Sequence, residues 1–104
     1  MPEHVLSVVL FHQGDFWVAQ CLEYDLVAQA EDLSDLRYEF ERVLIGHMVI
    51  SRENDAEPFV SLPAAPVEYW TRFAQAARNR LSPERIPFRL PMHMPLPQTE
   101  MRIA

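Results

Sequence analysis

The chain has 104 residues, enough for one domain with one hydrophobic core and too few for a multidomain enzyme. Hydrophobic residues make up 49% and charged residues 23%, a globular composition, and the net charge of −6 argues against non-specific affinity for nucleic acid or anionic membrane. A single cysteine, Cys21, excludes an intrachain disulfide and a cysteine-based zinc cluster.

Val5 to His12 is apolar and β-branched enough for a strand, with Leu6, Val8 and Leu10 on one side and Val9 and Phe11 on the other. Gln13-Gly14-Asp15 signals a turn, and Phe16 to Leu22 reads as a second strand, so an antiparallel hairpin is expected. Glu23-Tyr24-Asp25 breaks the pattern before a short third strand from Leu26 to Ala30. Asp32 is placed to cap a helix through its carboxylate, with Asp35 at the position of a capping-box partner. Leu33, Leu36, Phe40, Val43, His47 and Ile50 then recur at spacings of three and four, which predicts a helix to about Arg52. The cation at Arg52 suits the C-terminal end of the helix dipole.

Residues 53–66 contain Pro58, Pro63 and Pro66 and read as a loop held down by Phe59 and Leu62. Pro66 suits the start of a second helix over 67–81, with Trp70, Phe73, Ala74, Ala77 and Leu81 as its apolar side. Over residues 83–104 a proline-rich tail is expected. Within it Ile86, Phe88, Leu90, Met92, Met94 and Leu96 alternate with Pro87, Arg89, Pro91, His93, Pro95 and Pro97. Period two means an extended segment with one apolar side, either an edge strand blunted by proline or a polyproline arm.

No catalytic constellation is visible, so the expectation is a protein that is not an enzyme and uses no cofactor or metal. None of the five serines sits in a nucleophile elbow, and two glycines cannot build a phosphate loop. The histidines at 4, 12, 47 and 93 lack ligand spacing, and His47 reads as a structural histidine on the helix stripe. Asp15, Glu23 and Asp25 could gather a divalent cation, but such acids are more often turn residues. Cys21 reads as a buried, inert thiol, and Trp17 as a core residue; Tyr24, in a turn, suits core and recognition surface equally.

Charge divides the chain. Residues 1–58 carry twelve acids and three arginines, a balance of −9, and residues 59–104 carry three acids and six arginines, a balance of +3. Arg72, Arg78, Arg80, Arg85 and Arg89 lie near aromatic residues, which suits nucleic acid, while pairing with the acidic first half is the favoured reading. The start of the chain has no basic region followed by an apolar stretch, and the longest aliphatic runs are too short to span a bilayer, so a soluble cytoplasmic protein is expected.

The run Phe16-Trp17-Val18-Ala19-Gln20-Cys21-Leu22-Glu23-Tyr24, followed by Val27-Ala28-Gln29-Ala30-Glu31-Asp32 and the helix, resembles the HicB-like family over about residues 4–52. That family pattern is a strand, a turn, a strand carrying Trp-Val-Ala, a short third strand and a capped helix. Ala30-Glu31-Asp32 stands where the family has a Gly-Asp-Thr type of signature, and Glu23-Tyr24-Asp25 where it commonly has Pro-Glu-Leu-Pro-Gly. The resemblance implies a compact βββα unit, distantly related to a degraded ribonuclease H-like core, that acts as an antitoxin by binding a small basic ribonuclease toxin, HicA. The family's separate DNA-binding domain has no counterpart pattern in residues 53–104.

The expected fold is therefore α+β in a single domain. A small antiparallel three-stranded sheet is packed by one long helix, then come a second helix and the extended tail. The expected function is a non-catalytic, HicB-like protein-binding module, an antitoxin-like protein standing alone, with a nucleic-acid-associated protein as the alternative. The chain is also expected to form a homodimer or higher homo-oligomer. Val43, Leu44, Ile45, Met48, Val49 and Ile50 are apolar around most of the helix circumference, and the tail is apolar along one side. Tyr24, Met48, Val49, Ile86, Phe88 and Leu90 are the expected contact residues for a partner or second subunit.

Overall fold

The computed structural model describes residues 5–81 and 98–104, the side chains of 77–81 and 98 excepted. Strand β1 (Val5–Gln13) pairs antiparallel with β2 (Phe16–Cys21), from Val8↔Cys21 to Gln13↔Phe16. Gly14 and Asp15 make the two-residue connection, and Gly14 has φ +61. Positive φ at the first central residue alone is the sign pattern of a type II′ turn, which matches the strand twist. A Cβ at Gly14 would meet nothing within 4 Å, so the backbone angle rather than crowding favours glycine. Strand β3 (Val27–Ala30) pairs antiparallel with β2. The hairpin and third strand follow the sequence pattern closely.

Helix α1 (Leu33–Glu53) lies across one face of this unit. Leu6, Val8 and Leu10 of β1, with Ala19, Cys21 and Ala28, meet Leu36, Phe40, Leu44 and Met48 in one buried cluster. The contact line differs from the expected stripe. The buried helix positions are Leu36, Phe40, Leu44, Met48 and Ser51, while Ile50 is 60% exposed. Steps of four advance the contact line by about 40° each on a helix of 3.6 residues per turn, so it winds away from Ile50. Asp32 occupies the N-cap with extended angles, and its carbonyl accepts the amides of Asp35 and Leu36 at 3.2 Å. Its carboxylate makes no capping hydrogen bond, contrary to expectation. The carboxylate is exposed, which leaves only its charge to act on the helix dipole.

The opposite face holds Val9, Phe11, Val18, Leu22 and Ala65, with Tyr69 and Phe73 of α2 (Val67–Gln75) packed against them. Burial on both sides of β1 follows from its two alternating apolar sets. The second helix is shorter than the expected 67–81. It ends at Gln75, Ala76 turns extended, and Ala77–Leu81 forms strand β4. Its inward pair is Tyr69 and Phe73, while Trp70 and Ala74 are exposed. Pairing with a strand later in the chain overrides local helix propensity here.

That later strand is β5 (Gln98–Ile103), which lies parallel to β1 from Val5↔Gln98 to Leu10↔Ile103. The sheet order is β3-β2-β1-β5-β4: β3, β2, β1 and β5 join in regular register, and β4 joins β5 irregularly at Ala77↔Ile103 and Leu81↔Met101. The sheet is therefore mixed and larger than the expected three antiparallel strands. Strand β1 is interior, which suits its nearly continuous apolar run. The last part of the expected tail, Gln98–Ile103, is likewise an interior strand, and its Met101 is 2% exposed in the α1-side core. The alternating segment 86–97, with Ile86, Phe88 and Leu90, lies outside the described residues. No helix among the described residues is long and apolar enough to cross a membrane.

Candidate functional site beside the edge strand

Strand β3 closes one end of the sheet, and α1 begins only two residues after it ends. The short connection Glu31-Asp32 brings the first turns of α1 alongside the end of β3. A groove of about 460 Å³ opens there. Its aromatic walls are Phe16, the first residue after the hairpin turn, and Tyr38 on the outer side of α1, each 40% exposed. Glu31, Asp35 and Glu39 supply three carboxylates, the last two one helical turn apart, and Gln29 and Ala30 of β3 complete the lining.

Arg42 is in contact with this set. Its guanidinium lies 3.5 Å from Glu39 Oε1 and 5.9 Å from the Tyr38 ring centre. Both members of the ion pair are well exposed, so the pair is weak and easily exchanged for another cation. Aromatic faces beside carboxylates hold guanidinium and ammonium groups well, through ring–cation attraction and charge-assisted hydrogen bonds. The polar groups of the groove are three carboxylates, a phenol and an amide, a set suited to holding cations. The chain matches no protein-family model, no curated protein and no solved structure.

Of the contact residues expected from the sequence, Tyr24, Met48 and Val49 are not part of this groove, and Ile86, Phe88 and Leu90 lie outside the described residues. Tyr24 stacks on Phe59 at 4.6 Å between ring centres, and Phe59 stacks on His47 at 5.1 Å. The Phe59 amide donates to His47 Nε2 at 2.9 Å, so this ring nitrogen is an acceptor and the neutral ring carries its proton on Nδ1. Ser51 Oγ lies 3.4 Å from the same nitrogen. Phe59 has φ +74, uncommon for a bulky residue, and the two rings clamp it there. His47 is thus structural, as its place on the helix suggests, and Tyr24 helps hold the 54–66 loop against the core. Met48 is buried in the α1-side core, against which Tyr24 packs, and Val49 is half-buried.

Two of the three acids near the hairpin have structural partners. Glu23 Oε1 accepts the Ser7 amide at 2.7 Å, and Asp25 Oδ1 accepts Gln20 Nε2 at 2.7 Å. Asp15 is exposed in the turn. Among the described residues no group of three or more His, Cys, Asp or Glu is placed to hold a metal ion. Cys21 is buried, and loss of hydration pushes its thiol from 9.0 up to about 11. Such a thiol is a poor nucleophile near neutral pH.

Of the arginines expected to pair with the acidic first half, Arg72 instead lies over the Phe11 ring at 4.1 Å. Arg102, in the last strand, lies over the Phe73 ring at 4.3 Å. Arg102 also donates to the Phe73 carbonyl and to Glu100 Oε1, both at 3.3 Å. A planar guanidinium stacks on a ring while keeping its edge for hydrogen bonds, which a distant carboxylate cannot match.

Proposed function

We propose that this chain is a non-catalytic, HicB-like protein-binding module that holds a basic protein, with a small HicA-like ribonuclease toxin as the expected kind. The groove carries the reading: Phe16 and Tyr38 face solvent beside Glu31, Asp35 and Glu39, a surface suited to arginine and lysine side chains. The strong negative balance of the first half supports it by steering a basic partner towards this end of the molecule. The test uses the full chain with a photo-crosslinker in place of Tyr38, expressed in its native cell. A basic protein should be trapped, and the variant Glu31→Gln/Asp35→Asn/Glu39→Gln should lose it while melting normally. Capture that survives this neutralisation sinks the groove as the binding site. RNA and DNA incubated with the chain and magnesium or manganese should stay intact; cleavage lost with Asp15 or Asp25 would replace the binding reading with a hydrolase.

A homodimer belongs to the same proposal, supported by the exposed Ile50 beside the half-buried Val49 at the outer end of α1. Sedimentation as a monomer at micromolar concentration removes it.

A further inference from the structure

We propose that the basic partner enters this site as an extended segment that adds as a strand along the outer edge of β3, with its cationic side chains turned towards α1. The inference rests on reading the groove as a protein-binding site and specifies how that site is filled. The Cys21 amide donates to the Leu26 carbonyl at 2.9 Å, so these two residues face each other across the ladder. The same register pairs Gln20↔Val27, Ala19↔Ala28, Val18↔Gln29 and Trp17↔Ala30. In an antiparallel ladder the bonded and non-bonded pairs alternate, so Ala28 and Ala30 turn their amides and carbonyls towards β2. Val27 and Gln29 must then turn theirs away from it. Among the described residues no strand pairs with that side of β3. Two donors and two acceptors therefore stand ready at a spacing that only another extended backbone matches.

The walls make this edge suitable for one kind of strand. Ala28 and Ala30 belong to the α1 side of the sheet, whereas Phe16 shares its side of β2 with Val18, on the α2 side. A strand added beside β3 would alternate in the same way. Side chains on one of its faces would approach Asp35, Tyr38 and Glu39, and those on the other would approach Phe16 and the exposed Val27. The matching sequence alternates cationic and apolar residues. A second copy of this chain is a poorer occupant, because each copy carries net charge −6 and brings its own Glu31 and Asp32 to the edge.

The probe is an end-capped, eight-residue peptide of alternating arginine and valine, with alternating glutamate and valine as its counterpart, added to the full chain at low salt. The arginine peptide should bind and slow amide exchange at Val27 and Gln29 roughly tenfold, while leaving the already bonded Ala28 and Ala30 little changed. Gln29→Pro deletes an outward donor without touching the bonds to β2, a position where proline is tolerated, and should weaken binding roughly tenfold at unchanged melting temperature. The exchange measurement on the unaltered chain decides the matter even if that variant fails to fold. Strand addition is overturned by any of four results: no binding at millimolar peptide, binding without protection of Val27 and Gln29, equal binding of the glutamate peptide, or full binding by a folded Gln29→Pro. A dimer lost in Gln29→Pro would assign the edge to a second copy instead. Repeating the cell capture separates the two levels. A partner retained by Gln29→Pro but lost by Glu31→Gln/Asp35→Asn/Glu39→Gln leaves the binding module standing and removes strand addition; retention by both removes both.

Discussion

The two faces of the sheet are closed by different physics. On one, a 21-residue helix lays Leu36, Phe40, Leu44 and Met48 into a large buried apolar cluster. On the other, a nine-residue helix buries no residue completely and works through stacked groups. Tyr69 lies on Phe11 at 5.9 Å, Arg72 covers the same ring, and Arg102 reaches from the last strand to cover Phe73. Aliphatic burial is non-directional and grows with area, so the α1 face should dominate stability. On the α2 face the helix covers the buried Val9, Phe11, Val18 and Leu22 through a few oriented contacts that remain in touch with solvent, and one of those contacts comes from the far end of the chain. A long amphipathic helix can close a face alone; a short one needs help from rings and guanidinium groups.

The contrast is sharpest in paired truncations followed by urea unfolding. Phe40→Ala should destabilise by about 3–5 kcal/mol, the range for a large side chain removed from a tight core, whereas half-buried Phe73→Ala should lose only about 1–2 kcal/mol. Equal losses would show that the α2 face is as tightly closed as the α1 face. Next in size is the pH dependence from Cys21 on the α1 side. Its thiol is neutral when protonated, and folding raises its value from 9.0 to about 11. Its contribution is thus fully present below pH 9 and is lost as pH rises towards 11, amounting to roughly 3 kcal/mol. Cys21→Ala should flatten that part of the stability curve, and an unchanged slope would place the alkaline loss elsewhere. On the α2 side, Arg72→Gln should cost about 0.5–1 kcal/mol through the lost ring contact. If the loss scales steeply with salt, an ion pair rather than the Phe11 ring is the partner. The smallest effect is expected at Asp32, where alanine should cost only about 0.3 kcal/mol, because the capping hydrogen bond worth about 1 kcal/mol elsewhere is not made. A loss near the full capping value in thermal unfolding would mean that the carboxylate caps α1 in solution.

The candidate site was only partly legible beforehand. Asp35, Tyr38 and Glu39 sit off the apolar stripe at spacings of three and four, and an aromatic residue among charges on a polar helix face was a usable signal. Phe16 carried no such mark, since an aromatic residue at the start of a strand packs inward as often as outward. Its part in the groove depends on which side of β2 it falls and on how close α1 starts to β3. Met48 illustrates the opposite case. Its place on a helix apolar around most of its circumference suggested a surface contact, yet the winding contact line takes it into the chain's own core.

By itself the sequence determined the hairpin, the third strand, the long helix and the two-sided burial of β1. Each is written in a local period, and side chains two, three or four residues apart report directly which faces meet water. Only the tertiary structure decided that Val5 pairs with Gln98, that Ala77–Leu81 leaves the helix for the sheet, and that β3 rather than β1 stands at the edge. The reason lies in the backbone. Every residue but proline offers the same amide and carbonyl, so side-chain periodicity shows that a strand is buried without showing which strand will lie beside it.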